Sequence, residues 1–138
     1  MKINIIRGQD QIGGSIIEIS TESTRIILDA GINLGESKVH SYVPPIDGLF
    51  VGRPGYDAVF ASHYHSDHTG LLRFVIPVIP IYMGETAYKI TKSVADYKGR
   101  EAGFSVKSFL EEFVPVTVGD LTVTPIPCDH SAYGAFMF

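Results

Sequence analysis

Three histidines and one aspartate crowd into the short segment from His63 to His68, which reads His-Tyr-His-Ser-Asp-His. Neutral imidazole and carboxylate groups are ligands that zinc, iron and manganese take from proteins. In an extended backbone, residues two apart point to the same side, so His63 and His65 can bind one ion together. Asp67 and His68 follow after a change of chain direction and can hold a second ion beside the first. The spacing therefore predicts a metal site rather than an ordinary polar loop.

A further histidine, His130, follows Pro127-Cys128-Asp129 at the exit of another apolar strand. Because ligands are often carried at the ends of strands that share one edge of a sheet, His130 can return to the first cluster. Catalytic zinc typically takes three protein ligands and keeps one position open for water. We therefore expect His63, His65 and His130 to form such a set. The alternative for His130 alone is a hydrogen-bonded histidine at a strand end.

The composition limits the class of protein to which such a site can belong. The 138 residues predict one domain, residues 1–138, and 45% of them are apolar, which is enough to bury a core. No apolar run is long enough to span a bilayer, and the N-terminus lacks the features of a signal peptide. The single cysteine, Cys128, fits a reducing, cytoplasmic compartment and is expected to be a small buried side chain. A net charge of −4 without a basic block argues against a dedicated duplex-binding module.

Runs of β-branched and apolar residues between turn signals predict most of the strands that must position these ligands. A buried strand ending at Ala61 delivers His63, and Gly119-Asp120 joins the two strands of a late hairpin. The predicted strands cover residues 2–7, 15–20, 24–29, 57–61, 79–83, 113–118, 121–126 and 133–138.

Two helices are predicted between these strands. The first should run over residues 69–74, with Ser66 or Asp67 as its cap and Pro77 after its end. The second should run over residues 84–98, and the spacing of its apolar side chains predicts one buried face. That face would consist of Ala87, Ile90, Val94 and Tyr97. Residues 100–109 show no clear pattern.

The long segment from Gly31 to Tyr56 has no periodic pattern, and irregular segments of this length are usually functional or disordered. We expect it to lie over the metals. Its Tyr42, Phe50 and Arg53 could stack a base or meet a phosphate, or could serve only packing and solvation. His40, in the same segment, is expected to be solvated rather than a ligand.

The segment over residues 57–70, with its histidine cluster after an apolar strand, resembles the HxHxDH signature of the metallo-β-lactamase fold. Leu28-Asp29-Ala30-Gly31 is similar to the first motif of that family, in which an aspartate closes an early strand. Residues 127–134, around His130, resemble its third histidine motif. The residues that flank these motifs are most similar to the ribonuclease J and β-CASP-like branch of the superfamily. The resemblance covers essentially the whole chain, in the right order.

The resemblance implies an α/β protein with the αββα sandwich of that fold. This chain would represent its N-terminal half, a mixed sheet with flanking helices. Zinc is the expected metal, as one or two ions, with manganese or iron as alternatives. Asp29 would order the ligand loop without binding the metal itself. In the family a metal-bound hydroxide attacks a phosphodiester, thioester or lactone, and Asp67 helps to handle its proton. The implied ligands are His63, His65 and His130 for one ion, and Asp67 and His68 for the other.

Complete members of the family continue after the third motif with a bridging aspartate and a further histidine. The resemblance therefore implies that Asp67 and His68 alone represent the second metal position in the printed sequence. We expect a second copy of the chain, or a complementing C-terminal half, to supply the remaining ligands. Such an association would also cover the apolar surface that one half of a sandwich leaves open.

Three functions agree with these features. The first is a metal-dependent hydrolase that attacks a phosphodiester in RNA or a small ester. The second is a catalytically incomplete half-domain that binds metal at its three histidines and acts as a binding or assembly module. The third is an oxidoreductase with a di-iron site, which would need the absent ligands and usually a flavin domain.

Overall fold

A mixed six-stranded sheet forms the centre of the protein in the computed structural model, which describes residues 1–34 and 43–138. The strands are β1 Lys2–Arg7, β2 Ile16–Ser20, β3 Arg25–Leu28, β4 Ala58–Ala61, β5 Ile81–Gly84 and β6 Ser108–Leu110. They lie side by side in chain order. The pairs from β1 to β3 are antiparallel, whereas the pairs from β3 to β6 are parallel. This mixed sheet with flanking helices confirms the predicted fold class.

The two faces of the sheet are covered by different elements. On one face lie the short helix α1 Ser66–Thr69, a 3-10 turn Leu72–Phe74 and the helix α2 Glu85–Tyr97. On the other lie two antiparallel pairs, β7 Val116–Val118 with β8 Leu121–Val123, and β9 Ile126–Pro127 with β10 Phe136–Met137. Alternation along the strands supplies both cores, since successive side chains point to opposite faces. Thus Val59 packs towards the helices, and Phe60 towards the two small strand pairs.

Each predicted strand is present, although several are shorter than expected. The last one, expected over residues 133–138, is reduced to Phe136–Met137, and Tyr133 is 77% exposed. β6 lies in the stretch that shows no clear sequence pattern. None of the helices in the described residues is long and apolar enough to cross a membrane.

The prediction of a single helix over residues 69–74 was wrong. The chain makes one α-helical turn, α1, and then a separate 3-10 turn. The helix cannot continue because the Leu71 N–H donates to the carbonyl of Ala30, at 2.8 Å, instead of to its own preceding turn. The predicted cap was also wrong, since the N-cap is His65 and no side chain caps the helix.

The predicted buried face of α2 was wrong in part. Ala87 is buried, but Val94 is 46% exposed and Tyr97 is 92% exposed. The helix turns the small residues Ala87 and Ala95 to the core, which lets it lie close to the sheet. Thr91 lies between them in the same row and donates its hydroxyl to the Ala87 carbonyl at 2.9 Å.

Glu18, on β2, forms a polar cluster with the buried Tyr56 and the exposed Arg25. The Arg25 guanidinium and the Tyr56 hydroxyl donate to the same carboxylate oxygen of Glu18, at 2.9 and 3.0 Å. Burial alone would raise the pKa of Glu18, but hydrogen bonds from Arg25 and Tyr56 outweigh it and hold that pKa below its ordinary value. Burial, followed by the bond to Glu18, raises the pKa of Tyr56 to about 12, so its hydroxyl remains a donor.

Acid should destabilise the fold through Glu18. Because its folded-state pKa lies below the ordinary 4.5, its stabilisation is present above that pH and is lost as the pH falls through the folded-state value. Glu18→Gln should lower the free energy of unfolding at neutral pH by about 1–3 kcal/mol. The difference in the free energy of unfolding between this variant and the wild type should narrow below about pH 4.5, as measured by urea titrations. The exposed Glu22→Gln is the control, and a gap that does not change with pH would contradict the assignment.

Gly31 lies where the segment after β3 crosses the turn that carries Asp67 and His68. A Cβ atom on Gly31 would overlap the carbonyl group of Asp67. Backbone hydrogen bonds hold this contact, since Ala30 N–H donates to the His68 carbonyl at 2.7 Å and Ile32 N–H to the Ser66 carbonyl at 3.1 Å. The close approach therefore requires a residue without a side chain.

Gly31→Ala should accordingly lower the free energy of unfolding by about 3 kcal/mol, because the new methyl group must push apart two backbone segments that are hydrogen-bonded to each other. The control is Gly99→Ala, where a Cβ atom would meet nothing within 4 Å and only the left-handed φ of +66° opposes the change. That control should cost about 1–2 kcal/mol. Chemical denaturation measures both values, and equal losses would show that the contact at Gly31 is unimportant.

Candidate metal centre

Three imidazole rings meet at the edge of the sheet where β4 ends. His63 and His65 follow β4, and His130 follows β9. One ring nitrogen of each lies within 4.8 Å of the others, and the Nε2 atoms of His63 and His130 are 3.1 Å apart. His63 is buried, His65 is half-buried and His130 is exposed, so the group opens towards solvent on one side. Within the described residues, no other group of three histidine, cysteine or acidic side chains converges in this way.

This geometry fits a tetrahedral metal ion. Two nitrogens about 2.0–2.1 Å from such an ion lie about 3.3 Å apart, close to the separation of the His63 and His130 Nε2 atoms. Two imidazole nitrogens that face each other at this distance must share a proton or a cation, because their lone pairs otherwise repel. The three rings and the open side therefore suit a metal with three protein ligands and one position for water.

Asp67 and His68 form a second pair of donors beside the three histidines. The Asp67 Oδ2 atom lies 3.6 Å from the His68 Nε2 atom. The His68 ring centroid lies 4.2 Å from that of His63, so the second pair adjoins the first group. The structure thus brings the side chains of all five predicted ligands close together, three in one group and two beside it.

Asp29 lies behind the ligands at the end of β3. It is only 7% exposed, and its carboxylate accepts from His68 Nδ1 at 2.8 Å and from the Ser62 backbone N–H at 2.8 Å. Its φ of 61° is left-handed, a strained state that is typical of residues fixed at functional sites. Asp29 therefore lies where the sequence predicts it, in contact with a ligand and with the loop that carries the ligands.

The electrostatic setting favours the neutral, metal-binding form of His63. Burial, helped by the nearby charge of His68, lowers the pKa of His63 to about 4. The pKa of His68 is raised instead, because the hydrogen bond from its ring to Asp29 outweighs the effect of burial. The carboxylate thereby holds the His68 Nδ1 proton and leaves Nε2 directed at Asp67.

None of the other described residues that the sequence singled out belongs to the three-histidine group. His40 and Tyr42 lie outside the described residues. Phe50 packs against the core on the helix side of the sheet, which favours the packing interpretation, and Arg53 is exposed. Cys128 is half-buried rather than buried, and its N–H donates to the Ala135 carbonyl at 3.1 Å.

Sequence reasoning missed Ser62, the residue between β4 and His63. Its hydroxyl lies 2.8 Å from His63 Nδ1 and 3.0 Å from the Asp29 carboxylate. A serine after an apolar strand is unremarkable in sequence, and only its position directly before a ligand could have drawn attention to it.

Comparison with known proteins identifies the family. The profile of the beta-lactamase superfamily domain matches residues 24–136. Ribonuclease J of Helicobacter pylori (strain ATCC 700392 / 26695) is 25% identical over 136 residues, which are 95% of this chain and 20% of that protein. This chain therefore spans about a fifth of the length of that relative.

Two solved structures share the fold. A protein of unknown function from Enterococcus faecalis V583 superposes with a TM-score of 0.81 at 25% identity, over 97% of this chain and 39% of that one. The metallo-beta-lactamase fold protein YhfI from Bacillus subtilis gives a TM-score of 0.59 at 23% identity, over 97% and 55% of the two chains. Together with the profile match over residues 24–136, these likenesses show that the chain belongs to the beta-lactamase superfamily domain family and has the metallo-β-lactamase fold.

Proposed function

We propose that residues 1–138 form one domain of a metal-dependent hydrolase that cleaves phosphodiester bonds, with RNA as the substrate class. The observation that carries the proposal is the convergence of His63, His65 and His130, whose ligand nitrogens lie within 4.8 Å of one another. Three neutral donors with an open side are typical of catalytic sites, whereas structural zinc sites are closed by four protein ligands. The choice of RNA rests on the likeness to ribonuclease J.

Zinc is the metal that we propose, because a set of three imidazoles suits it, and manganese or iron remain alternatives. His63, His65 and His130 would hold one ion, and Asp67 with His68 would contribute to a second position. A bound divalent ion lowers the pKa of water towards neutrality and neutralises charge that develops on an attacked phosphate.

Asp67 is the residue that we propose to move the proton in this reaction. Its side chain is 17% exposed, so the carboxylate is confined but can be reached from the open side. Its backbone is held on two sides, because its carbonyl accepts from Ser15 N–H at 3.2 Å and Gly31 packs against it. The Oδ2 atom can accept a proton from the attacking water and release it after bond cleavage.

The alternative is a half-domain that binds metal and serves as a binding or assembly module. One observation favours it, since the described residues contain no second group of three donors that includes Asp67 and His68. Self-association or a complementing partner stays a prediction, to which exposed apolar side chains such as Phe113, Tyr133 and Met137 are relevant. The single Cys128 supports a cytoplasmic location.

His65→Ala separates the two functions. The wild-type chain, reconstituted with zinc, should cleave an RNA oligonucleotide and bis-p-nitrophenyl phosphate. Removing one of three ligands should reduce this hydrolysis by at least about 100-fold and release the metal from that position. Lys89→Ala, which changes an exposed helix residue, should leave both unchanged. One zinc per wild-type chain without hydrolysis would support the module, and a chain that binds no metal would contradict both functions.

Asp67→Asn should separate metal binding from turnover. The three histidines remain, so the variant should still bind one zinc ion per chain, as measured by metal analysis. Hydrolysis should fall by about 10²–10⁴-fold, because the amide cannot accept the proton. Activity within a few-fold of the wild type would remove Asp67 from the proposed role.

A further inference from the structure

We infer that Ser62 is a positioning residue that fixes the tautomer of His63, and that the Asp29 carboxylate thereby organises both metal positions at once. The inference rests on the proposed metal centre, and it concerns residues that lie behind the ligands. Its basis is a continuous chain of hydrogen bonds from the Asp29 carboxylate, through the Ser62 hydroxyl, to the Nδ1 atom of His63.

The direction of this chain follows from the chemistry of its first member. A carboxylate can only accept, so at 3.0 Å the Ser62 hydroxyl must donate to the Asp29 Oδ2 atom. A hydroxyl carries one proton, so the Ser62 oxygen must accept in its other contact, at 2.8 Å from His63 Nδ1. His63 therefore carries its proton on Nδ1. Its Nε2 atom holds the lone pair and faces His130 at 3.1 Å.

The same carboxylate acts directly on the second position. His68 Nδ1 lies 2.8 Å from Asp29 Oδ2, so this nitrogen is the donor and the His68 Nε2 atom faces Asp67. One buried acid thus directs two imidazoles, His68 by contact and His63 through a hydroxyl. When the ring nitrogen that does not bind the metal is hydrogen-bonded, the orientation of the histidine ring is fixed and the ligating nitrogen becomes more basic.

Ser62 can act in this way because its backbone is fixed on both sides. Its N–H donates to Asp29 Oδ1 at 2.8 Å, and its carbonyl accepts from the Phe136 N–H at 3.0 Å. Phe136 belongs to β10, which pairs with β9, the strand that leads to His130. The serine is therefore joined to two segments that carry or orient ligands.

Three serine variants test the inference by metal affinity, with zinc titrated against a chromophoric chelator. Ser62→Ala removes the hydroxyl and should weaken binding at the three-histidine position by about 10–100-fold. Ser62→Thr keeps a hydroxyl and should restore most of the affinity. Ser66→Ala is the matched control, since its exposed hydroxyl makes no hydrogen bond to the described residues, and it should bind as the wild type does. Equal affinity in Ser62→Ala and the wild type would overturn the inference.

A second measurement needs no metal and separates local from general effects. In the metal-free protein, nitrogen chemical shifts of the His63 ring should report the Nδ1–H tautomer in the wild type and in Ser62→Thr. Ser62→Ala should lose that preference while its thermal unfolding stays cooperative. An Nε2–H tautomer in the wild type would overturn the inference.

Asp29→Asn tests whether the one carboxylate orients both His68 and, through Ser62, His63. It should weaken zinc binding at both positions, whereas Ser62→Ala should weaken only the three-histidine position. If Ser62→Ala weakens zinc binding at both positions equally, the proposed chain of hydrogen bonds from Asp29 through Ser62 to His63 is wrong. A wild-type chain that binds no zinc would instead refute the proposed metal centre itself, and the tautomer measurement would still decide the role of Ser62.

Discussion

The site depends on the register of two parallel strands, β3 and β4. Leu28 pairs with Phe60, so the residues that follow each strand emerge side by side. Asp29 N–H extends the ladder by one bond, to the Phe60 carbonyl at 2.9 Å. Because this register is kept to the last residue, the carboxylate of Asp29 lies against Ser62. A shift of one residue would turn that side chain to the opposite face.

Beyond the strand ends, backbone hydrogen bonds add to the side-chain bond between His68 and Asp29 in holding the turn that carries Asp67 and His68. The segment from Ala30 to Ile32 runs along α1, and its Ala30 and Ile32 N–H groups donate to the carbonyls of His68 and Ser66.

Much of the fold could be predicted, because the strands carry period-two apolar patterns and end at turn residues. The residues of β4 are all buried, and their run predicts both the strand and the position of His63. Patterns within one element could not say which apolar side chains the core would accept. On α2 the core selected Ala87 and Ala95, since small residues allow close packing, and left Tyr97 in solvent.

The five proposed ligands could be predicted from the sequence because imidazole and carboxylate groups at close spacing have few uses other than metal binding. Ser62 was not readable, because its role arises from the distance between the ends of two strands and not from its neighbours in sequence. β6 was missed for a similar reason. It is three residues long and only Leu110 is buried, so parallel pairing with β5, rather than composition, defines it.

The hydrogen bond between the Phe136 N–H and the Ser62 carbonyl has a consequence for how metal binding and folding of the chain are coupled. His63 and His65 are neighbours in any conformation of the chain, so an unfolded chain already offers two donors to an ion. In the folded chain His130 joins them, and β10, which pairs with the strand before His130, is hydrogen-bonded to Ser62. Metal then binds the folded state more tightly than the unfolded one, and the difference in affinity adds to the stability of the fold. At the proposed metal centre, the third histidine would thus couple the binding of the ion to the folding of the chain.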